Sequence, residues 1–147
     1  MLIRPMTAGD IVAVAVVEAE FSSPWTAQQI SAEYKRDSAC TLVAESTPQE
    51  IAGWCCGFCL APDAELFKIS VSSVWQQQGI ATTLLRELCV FFVNTGGKRV
   101  FLEVRSQNVA ALRLYVKSGW EQQGIRKNYY KNPVDDAILL VRSLKEW

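Results

Sequence analysis

The sequence contains no histidine. That absence removes Ser-His-Asp and Cys-His catalysis, histidine metal sites and histidine pH switches together. A proton acceptor in this chain must be a carboxylate, a lysine, a tyrosinate, a thiolate, a terminal amine or water. A surplus of charge is also missing, because 15 basic and 15 acidic residues cancel. Proteins that coat nucleic acid rely on excess positive charge, so no nucleic-acid partner is expected. No apolar run approaches the roughly 18 residues that suggest a membrane span, so no membrane partner is expected either. Internal repeats, linkers and low-complexity segments are absent as well.

What remains is 147 residues, half of them hydrophobic and a tenth aromatic. This is enough apolar material for one domain, spanning 1–147, with one core. The zero net charge hides an asymmetry: residues 1–73 hold 4 basic and 9 acidic side chains, and residues 74–147 hold 11 basic and 6 acidic. Ordinary surface variation accounts for such a split as well as an anion site in the second half does. The cysteine number is odd, at five, and three of them (Cys55, Cys56, Cys59) share one apolar run. With no signal-peptide pattern, the chain reads as reduced and cytoplasmic. Strand alternation sends Cys55 and Cys59 to one face and Cys56 to the other, which favours buried packing over a metal site.

Met1–Pro5 reads as a strand, and Thr7 with Asp10 as the N-cap pair of a helix running to Phe21. Ser22-Ser23-Pro24-Trp25 ends it, and Thr26 with Gln29 opens a second helix to Arg36. Cys40–Ser46 and Ile51–Leu60 flank a turn-like Thr47-Pro48-Gln49-Glu50, and Leu66–Val74 is a further strand. Ile80, Leu84, Leu88 and Phe91 then recur at helical spacing up to Gly96-Gly97. Strand Arg99–Val104, helix Gln107–Lys117 and strands Trp120–Tyr129 and Ala137–Leu144 complete the chain. The order β-α-α-β-β-β-α-β-α-β-β predicts a mixed α/β (α+β) domain with a largely antiparallel sheet.

Gln76-Gln77-Gln78-Gly79-Ile80-Ala81 joins a strand to a helix start. A helix N-terminus offers unpaired N–H groups and a partial positive charge, and a glycine there allows close approach of a phosphate. Thr82 and Thr83 add hydroxyl donors in the first turn. The loop is neither a Walker A loop nor a G-x-G-x-x-G dinucleotide loop, and a single glycine at a helix start often marks only a turn.

Three motifs give the loop a context. Gln76, Gly79 and Ala81 match Q/R-x-x-G-x-G/A. Leu102 through Trp120 match L-E-V-R-x-x-N-x-x-A-x-x-L-Y-x-x-x-G-F/W, including Glu103, Asn108 and Tyr115. Arg126, Asn128, Tyr129 and Tyr130, followed by Asp136-Ala137-Ile138, match R-x-N-Y-Y and D-A-I. With these motifs the chain resembles the GNAT superfamily of acetyl-CoA-dependent N-acetyltransferases. Within that superfamily it looks most like the RimI group, which acetylates the N-terminal alanine of a ribosomal protein. Pro24-Trp25 after the first helix fits the same group.

The resemblance implies a sheet splayed between its fourth and fifth strands, with acetyl-CoA as cosubstrate and no metal. The pantetheine arm would pair with Ile69, Ser70 and Val71. The pyrophosphate would sit on the amides of Gln77, Gln78, Gly79, Ile80, Ala81 and Thr82. Val71 N–H would polarise the thioester carbonyl. Asn108 would bind the pantetheine arm, or would simply cap its helix. Glu103 would be the general base and Tyr115 the acid that protonates the leaving thiolate. Pro24, Trp25, Tyr129 and Tyr130 would line the acceptor, the N-terminus of a protein, with ordinary aromatic packing as the competing account. RimI-like loops usually carry arginine where this chain has Gln77 and Thr82, leaving Arg86, Lys98, Arg113, Lys117 and Arg126 as compensating cations. Other outcomes consistent with the same residues are transfer to a small amine or a lysine side chain, and an acyl-CoA-binding sensor without catalysis.

Overall fold

The structure is a computed structural model that describes residues 1–145, so the last two residues of the 1–147 span lie outside the described residues. The chain runs β1 (Leu2–Pro5), a 3-10 turn at Ala8–Asp10, α1 (Ile11–Glu18), α2 (Ala27–Lys35), β2 (Ala39–Thr47), β3 (Glu50–Leu60) and β4 (Asp63–Val71). It continues through α3 (Ile80–Asn94), β5 (Arg99–Arg105), α4 (Val109–Lys117), β6 (Glu121–Tyr130) and β7 (Asp135–Ser143). The strands form one sheet in the order β1-β2-β3-β4-β5-β7-β6. Only the β4–β5 pair is parallel. Among the described residues no helix is long and apolar enough to cross a membrane.

Local chemistry accounts for most boundaries. The Thr26 hydroxyl accepts from Gln29 N–H at 3.2 Å and the Gln29 side chain accepts from Thr26 N–H at 2.8 Å, a reciprocal box that starts α2. Thr7 and Asp10 form the same kind of box, but the turn they open is 3-10 and the α-helix begins only at Ile11. That helix stops at Glu18 rather than Phe21, because Glu20 and Phe21 N–H bond back to Val17 and Glu18 carbonyls in a tighter turn. The fourth strand is Asp63–Val71 rather than Leu66–Val74: Ser72 N–H makes the last bond to β3, and Ser73–Trp75 winds into a 3-10 turn. The helix expected from Gln107 starts at Val109, since Asn108 is its cap.

Both faces of the sheet are covered. Leu84, Leu88 and Phe92 of α3 pack with Cys55, Cys59, Leu66, Val100 and Leu102 on one face. Val14 and Ile30 of α1 and α2 pack with Val43, Trp54 and Cys56 on the other. The three cysteines of β3 therefore divide between faces as alternation requires. All five cysteines are free and buried. Burial pushes the Cys40 and Cys89 thiols up to about 12.

The feature that positions the site is a break between β4 and β5. They pair over only three positions, Asp63↔Arg99, Ala64↔Val100 and Glu65↔Phe101. Just beyond, the β3–β4 register slips between Cys56 and Gly57, so that β4 carries one extra residue at Phe67. Such a bulge bends its strand and increases its twist. β5 meanwhile stays paired to β7 along its whole length, from Arg99 to Arg105. The sheet thus opens like a V from Glu65 onward.

Gly57 sits at the register slip and has no room for a side chain. A Cβ there would lie 2.5 Å from Glu65 O and 2.6 Å from the Phe92 ring. Gly57→Ala is expected to cost about 1–3 kcal/mol through overpacking. Urea unfolding followed by circular dichroism measures it.

Candidate active site

One wall of the opening is the free edge of β4. Ser72 N–H donates to Ala52 O on β3 at 2.8 Å. Backbone groups alternate sides along a strand, so those of Ile69 and Val71 face the opening. In agreement, Val71 O accepts from the Gln76 side chain at 3.0 Å instead of from a strand. Ser70 is a correction to the expected trio, because its backbone faces Trp54 on β3 and its hydroxyl donates to Glu18 Oε2 at 2.6 Å.

The loop after β4 delivers a row of amides. Gln77 (φ +63) and Gly79 (φ +79) both adopt left-handed backbone, and Gly79 is the N-cap of α3 without a side-chain cap bond. Among the described residues, the N–H groups of Gln77, Gln78, Gly79, Ile80, Ala81 and Thr82 donate to no protein acceptor. A glycine tolerates the required φ, and its bare Cα leaves the loop open above it. Of the two first-turn hydroxyls, Thr83 Oγ donates back to Gly79 O at 3.0 Å, which leaves Thr82 as the available one.

The other wall is β5 with the elements that follow it. Leu102 and Val104 are buried towards α3, so alternation puts Glu103 and Arg105 on the opposite face. At the end of β5 the Ser106 hydroxyl and the Gln107 N–H both donate to the Asp135 carboxylate. This fastens the turn into α4. There Asn108 Oδ1 accepts from Ala111 N–H at 3.2 Å, so Asn108 caps its helix and keeps its Nδ2 for another partner. Tyr115, two turns along α4, is 4% exposed and packs on Trp120 with ring centroids 5.5 Å apart. Burial raises its phenol above the ordinary range, aided by Cys55 and Tyr130 nearby.

Glu103 collects the acceptor-side residues. Arg126 Nε lies 3.6 Å from Glu103 Oε1. Hydrogen bonding to Glu103 is the main cause that raises the Tyr129 phenol. Tyr130 is pushed up to about 12, by burial first and then by the Glu103 charge. The two tyrosine rings meet edge-on at 5.2 Å. Trp25 packs edge-on against Trp54 at 5.7 Å, and Pro24 beside it is exposed.

Residues that carry no motif hold these parts together. Arg105 donates to Ser23 Oγ in the α1–α2 loop at 3.1 Å, and to Lys131 O and Pro133 O in the β6–β7 loop at 3.1 and 2.9 Å. Its guanidinium also stacks 4.4 Å from the Tyr130 ring centroid. Glu18 is fully buried and accepts from Trp25 N–H at 2.9 Å and from Trp54 Nε1 at 3.0 Å. One signal for Glu18 was present in the sequence: it is the only charge in Ile11–Glu18. Two of the compensating cations are displaced. Arg126 belongs to Glu103, and Lys98 N–H bonds Pro62 O at the closed end of the sheet, roughly 26 Å of strand away from Val71. Arg86, Arg113 and Lys117 are exposed on α3 and α4.

A sheet opened between its two parallel strands, with a free amide edge and an uncapped helix N-terminus at its mouth, defines an acyl-CoA-dependent transferase architecture. The acetyltransferase (GNAT) family matches residues 13–120, and the chain belongs to that family. The chain is 30% identical over 145 residues to a Bacillus subtilis protein named as a candidate ribosomal protein bS18-alanine N-acetyltransferase, covering 98% of this chain and 96% of that one. It is 38% identical over 80 residues to the ribosomal protein bS18-alanine N-acetyltransferase of Escherichia coli, covering 53% of this chain and 54% of that one. The crystal structure of the ribosomal-protein-S18-alanine N-acetyltransferase from Escherichia coli superposes with a TM-score of 0.87 at 25% identity, over 97% of this chain and 93% of that chain. The protein is thus an acetyltransferase of the GNAT fold.

Because Arg105 ties the α1–α2 loop to the β6–β7 loop, Arg105→Ala is expected to raise amide hydrogen exchange in residues 21–25 and 131–134 by about tenfold or more. Exchange in β2 and β3 should stay unchanged in the same mass-spectrometric experiment.

Proposed function

We propose that the protein transfers the acetyl group of acetyl-CoA to the N-terminal α-amine of a protein, alanine foremost, with a ribosomal protein as the natural acceptor class. The observation that carries this reading is the grouping of Glu103 on β5 with Tyr129 and Tyr130 at the end of β6, on the β5 side of an opening whose other wall is the free edge of β4. The names of the relatives support the acceptor class. Five free, buried thiols fit a reducing cytoplasmic setting.

The residues present suit acetyl-CoA. The amides of Gln77, Gln78, Gly79, Ile80, Ala81 and Thr82 lack protein acceptors, and they would receive the pyrophosphate at the positive end of α3. The open-side backbone of Ile69 and Val71 would hold the pantetheine arm, joined by Asn108 Nδ2. Acetyl-CoA supplies an activated thioester, which the amine attacks directly.

Val71 N–H donates to the thioester oxygen where negative charge develops, a fixed dipole that needs no reorganisation. Glu103 accepts the proton of the incoming ammonium, directly or through water. An α-amine titrates near pH 8, so this transfer needs only modest help. Tyr115 donates its proton to the departing thiolate, and burial keeps that phenol protonated until it is needed. Tyr129, Tyr130, Pro24 and Trp25 line the space for the peptide terminus. Burial raises the thiols of Cys40, Cys55, Cys56 and Cys89 and so disfavours the nucleophilic thiolate, in keeping with transfer in one step.

The deciding experiment is mass spectrometry on a panel of peptides incubated with acetyl-CoA. One acetyl group on the terminus of an alanine-starting peptide is the expected result. Labelling confined to lysine side chains or polyamines overturns the acceptor, and CoA binding with no transfer overturns the enzyme mechanism.

Tyr115→Phe is expected to lower kcat at least about tenfold while the CoA dissociation constant stays within about twofold. In the parent, kcat/KM for the peptide should rise with pH as the terminal amine deprotonates near 8. Because the Tyr115 phenol is raised, its proton-donating form persists through this range, and no fall should follow below about pH 10. A falling limb between pH 8 and 9 that Tyr115→Phe abolishes would contradict this assignment.

A further inference from the structure

Both chain neighbours of Val71 are held by carboxylates from the end of α1 and the start of the α1–α2 loop. On its N-terminal side the Ser70 hydroxyl donates to Glu18 Oε2 at 2.6 Å. On its C-terminal side the Ser72 hydroxyl donates to Glu20 Oε2 at 2.7 Å, and Ser73 N–H donates to Glu20 Oε1 at 2.9 Å. From the opening itself, Gln76 Nε2 holds Val71 O at 3.0 Å. Glu18 and Glu20 lie at the C-terminal end of α1 and the start of the α1–α2 loop, and Glu18 also accepts from Trp25 N–H at 2.9 Å. Lys68 Nζ adds a third tie, at 3.3 Å from Glu18 Oε1 and 3.4 Å from Ser23 O.

We infer that Glu18 and Glu20 are positioning residues that clamp Ser70 and Ser72 on either side of Val71, so that the Val71 amide and the Pro24-Trp25 loop form one rigid body. This inference rests on the reading of Val71 as the donor to the thioester and of the loop as the peptide wall. Sheet pairing alone does not supply the rigidity. The opening deprives β4 of its β5 neighbour from Leu66 onward, so that from Lys68 to Val71 the strand is paired on its β3 side alone. Side-chain clamps from the second helical layer replace the missing strand. The arrangement also makes distance between donor amide and acceptor wall a fixed quantity, which a near-attack geometry requires to within a fraction of an ångström.

The test uses Glu20 and Ser72, which are exposed or half-exposed, so substitution leaves the core untouched. Ser72→Ala removes the hydroxyl, and Ser72→Thr restores it in an extended backbone (φ −54°, ψ 142°) that threonine adopts freely. Expected for Ser72→Ala and Glu20→Ala is a fall in kcat of about tenfold with KM for acetyl-CoA within about twofold, and recovery in Ser72→Thr. The Val71 amide resonance, followed by heteronuclear NMR, should move on adding acetyl-CoA to the parent and to Ser72→Thr, and should move less in Ser72→Ala. A kcat within twofold of the parent in both alanine variants overturns the inference. So does a loss spread equally over kcat, KM and thermal midpoint, which would mark a merely structural bond. If the parent acetylates no peptide, the functional reading fails by itself, and the NMR comparison decides the clamp: equal Val71 shifts in parent and Ser72→Ala overturn it.

Discussion

The parallel contact between β4 and β5 lasts for three residue pairs and then fails. A sheet normally satisfies each backbone N–H and C=O by pairing, and an open edge in the middle of a sheet is an energetic liability unless something fills it. Here the failure is built in twice over. A bulge turns β4 away at Phe67, and β7 inserts itself on the far side of β5 so that β5 cannot follow. The unpaired amides of Ile69 and Val71 are the result, and the uncapped start of α3 lies at the same end of the gap. The loop of free amides, the open strand edge and the Glu103 face of β5 therefore share one origin in sheet topology.

An opening of this kind needs external support, and buried polar groups provide it. A carboxylate as buried as that of Glu18 costs several kcal/mol to desolvate unless its lone pairs are occupied. It accepts hydrogen bonds from Trp25, Trp54 and Ser70, with Lys68 as counter-charge. These partners lie on the α1–α2 loop, on β3 and on β4, so the network specifies how the loop meets the two strands. Arg105 does the same on the far wall, joining β5 to both loops that flank the acceptor side. Polar networks of this type give orientation more than stability.

In the proposed reaction, proton transfer without histidine places unusual weight on burial. A phenol is a poor acid at neutral pH, yet its proton is reliably present, and burial of Tyr115 strengthens that property. The same force acts on Cys40 and Cys89, whose thiols burial pushes up to about 12. Among the described residues no cluster of cysteine and carboxylate groups is arranged to hold a metal ion.

By itself the sequence determined the element order, the reciprocal box at Thr26 and Gln29, the division of Cys55 and Cys56 between faces, and the motif positions at Gly79, Glu103, Asn108 and Tyr115. These depend on local periodicity and on residue types at short range, which a linear chain displays. Several other features were decided only by tertiary structure. Ser70 turns its backbone to β3 and its hydroxyl to Glu18, 52 positions away in sequence. Lys98 lies just before β5 at the closed end of the sheet, and Arg126 of β6 pairs with Glu103. Asp136 accepts from the Asn128 backbone N–H at 2.9 Å across the β6–β7 hairpin, and Asn128 stands in left-handed backbone (φ +52), which asparagine tolerates better than most residues. The clamp around Val71 and the tie through Arg105 use side chains distant in sequence, and long-range pairing has no signature in the order of residues. A sequence states which groups are available. Which of them meet depends on where β4 parts from β5, a balance of bulge, register and packing summed over the whole sheet.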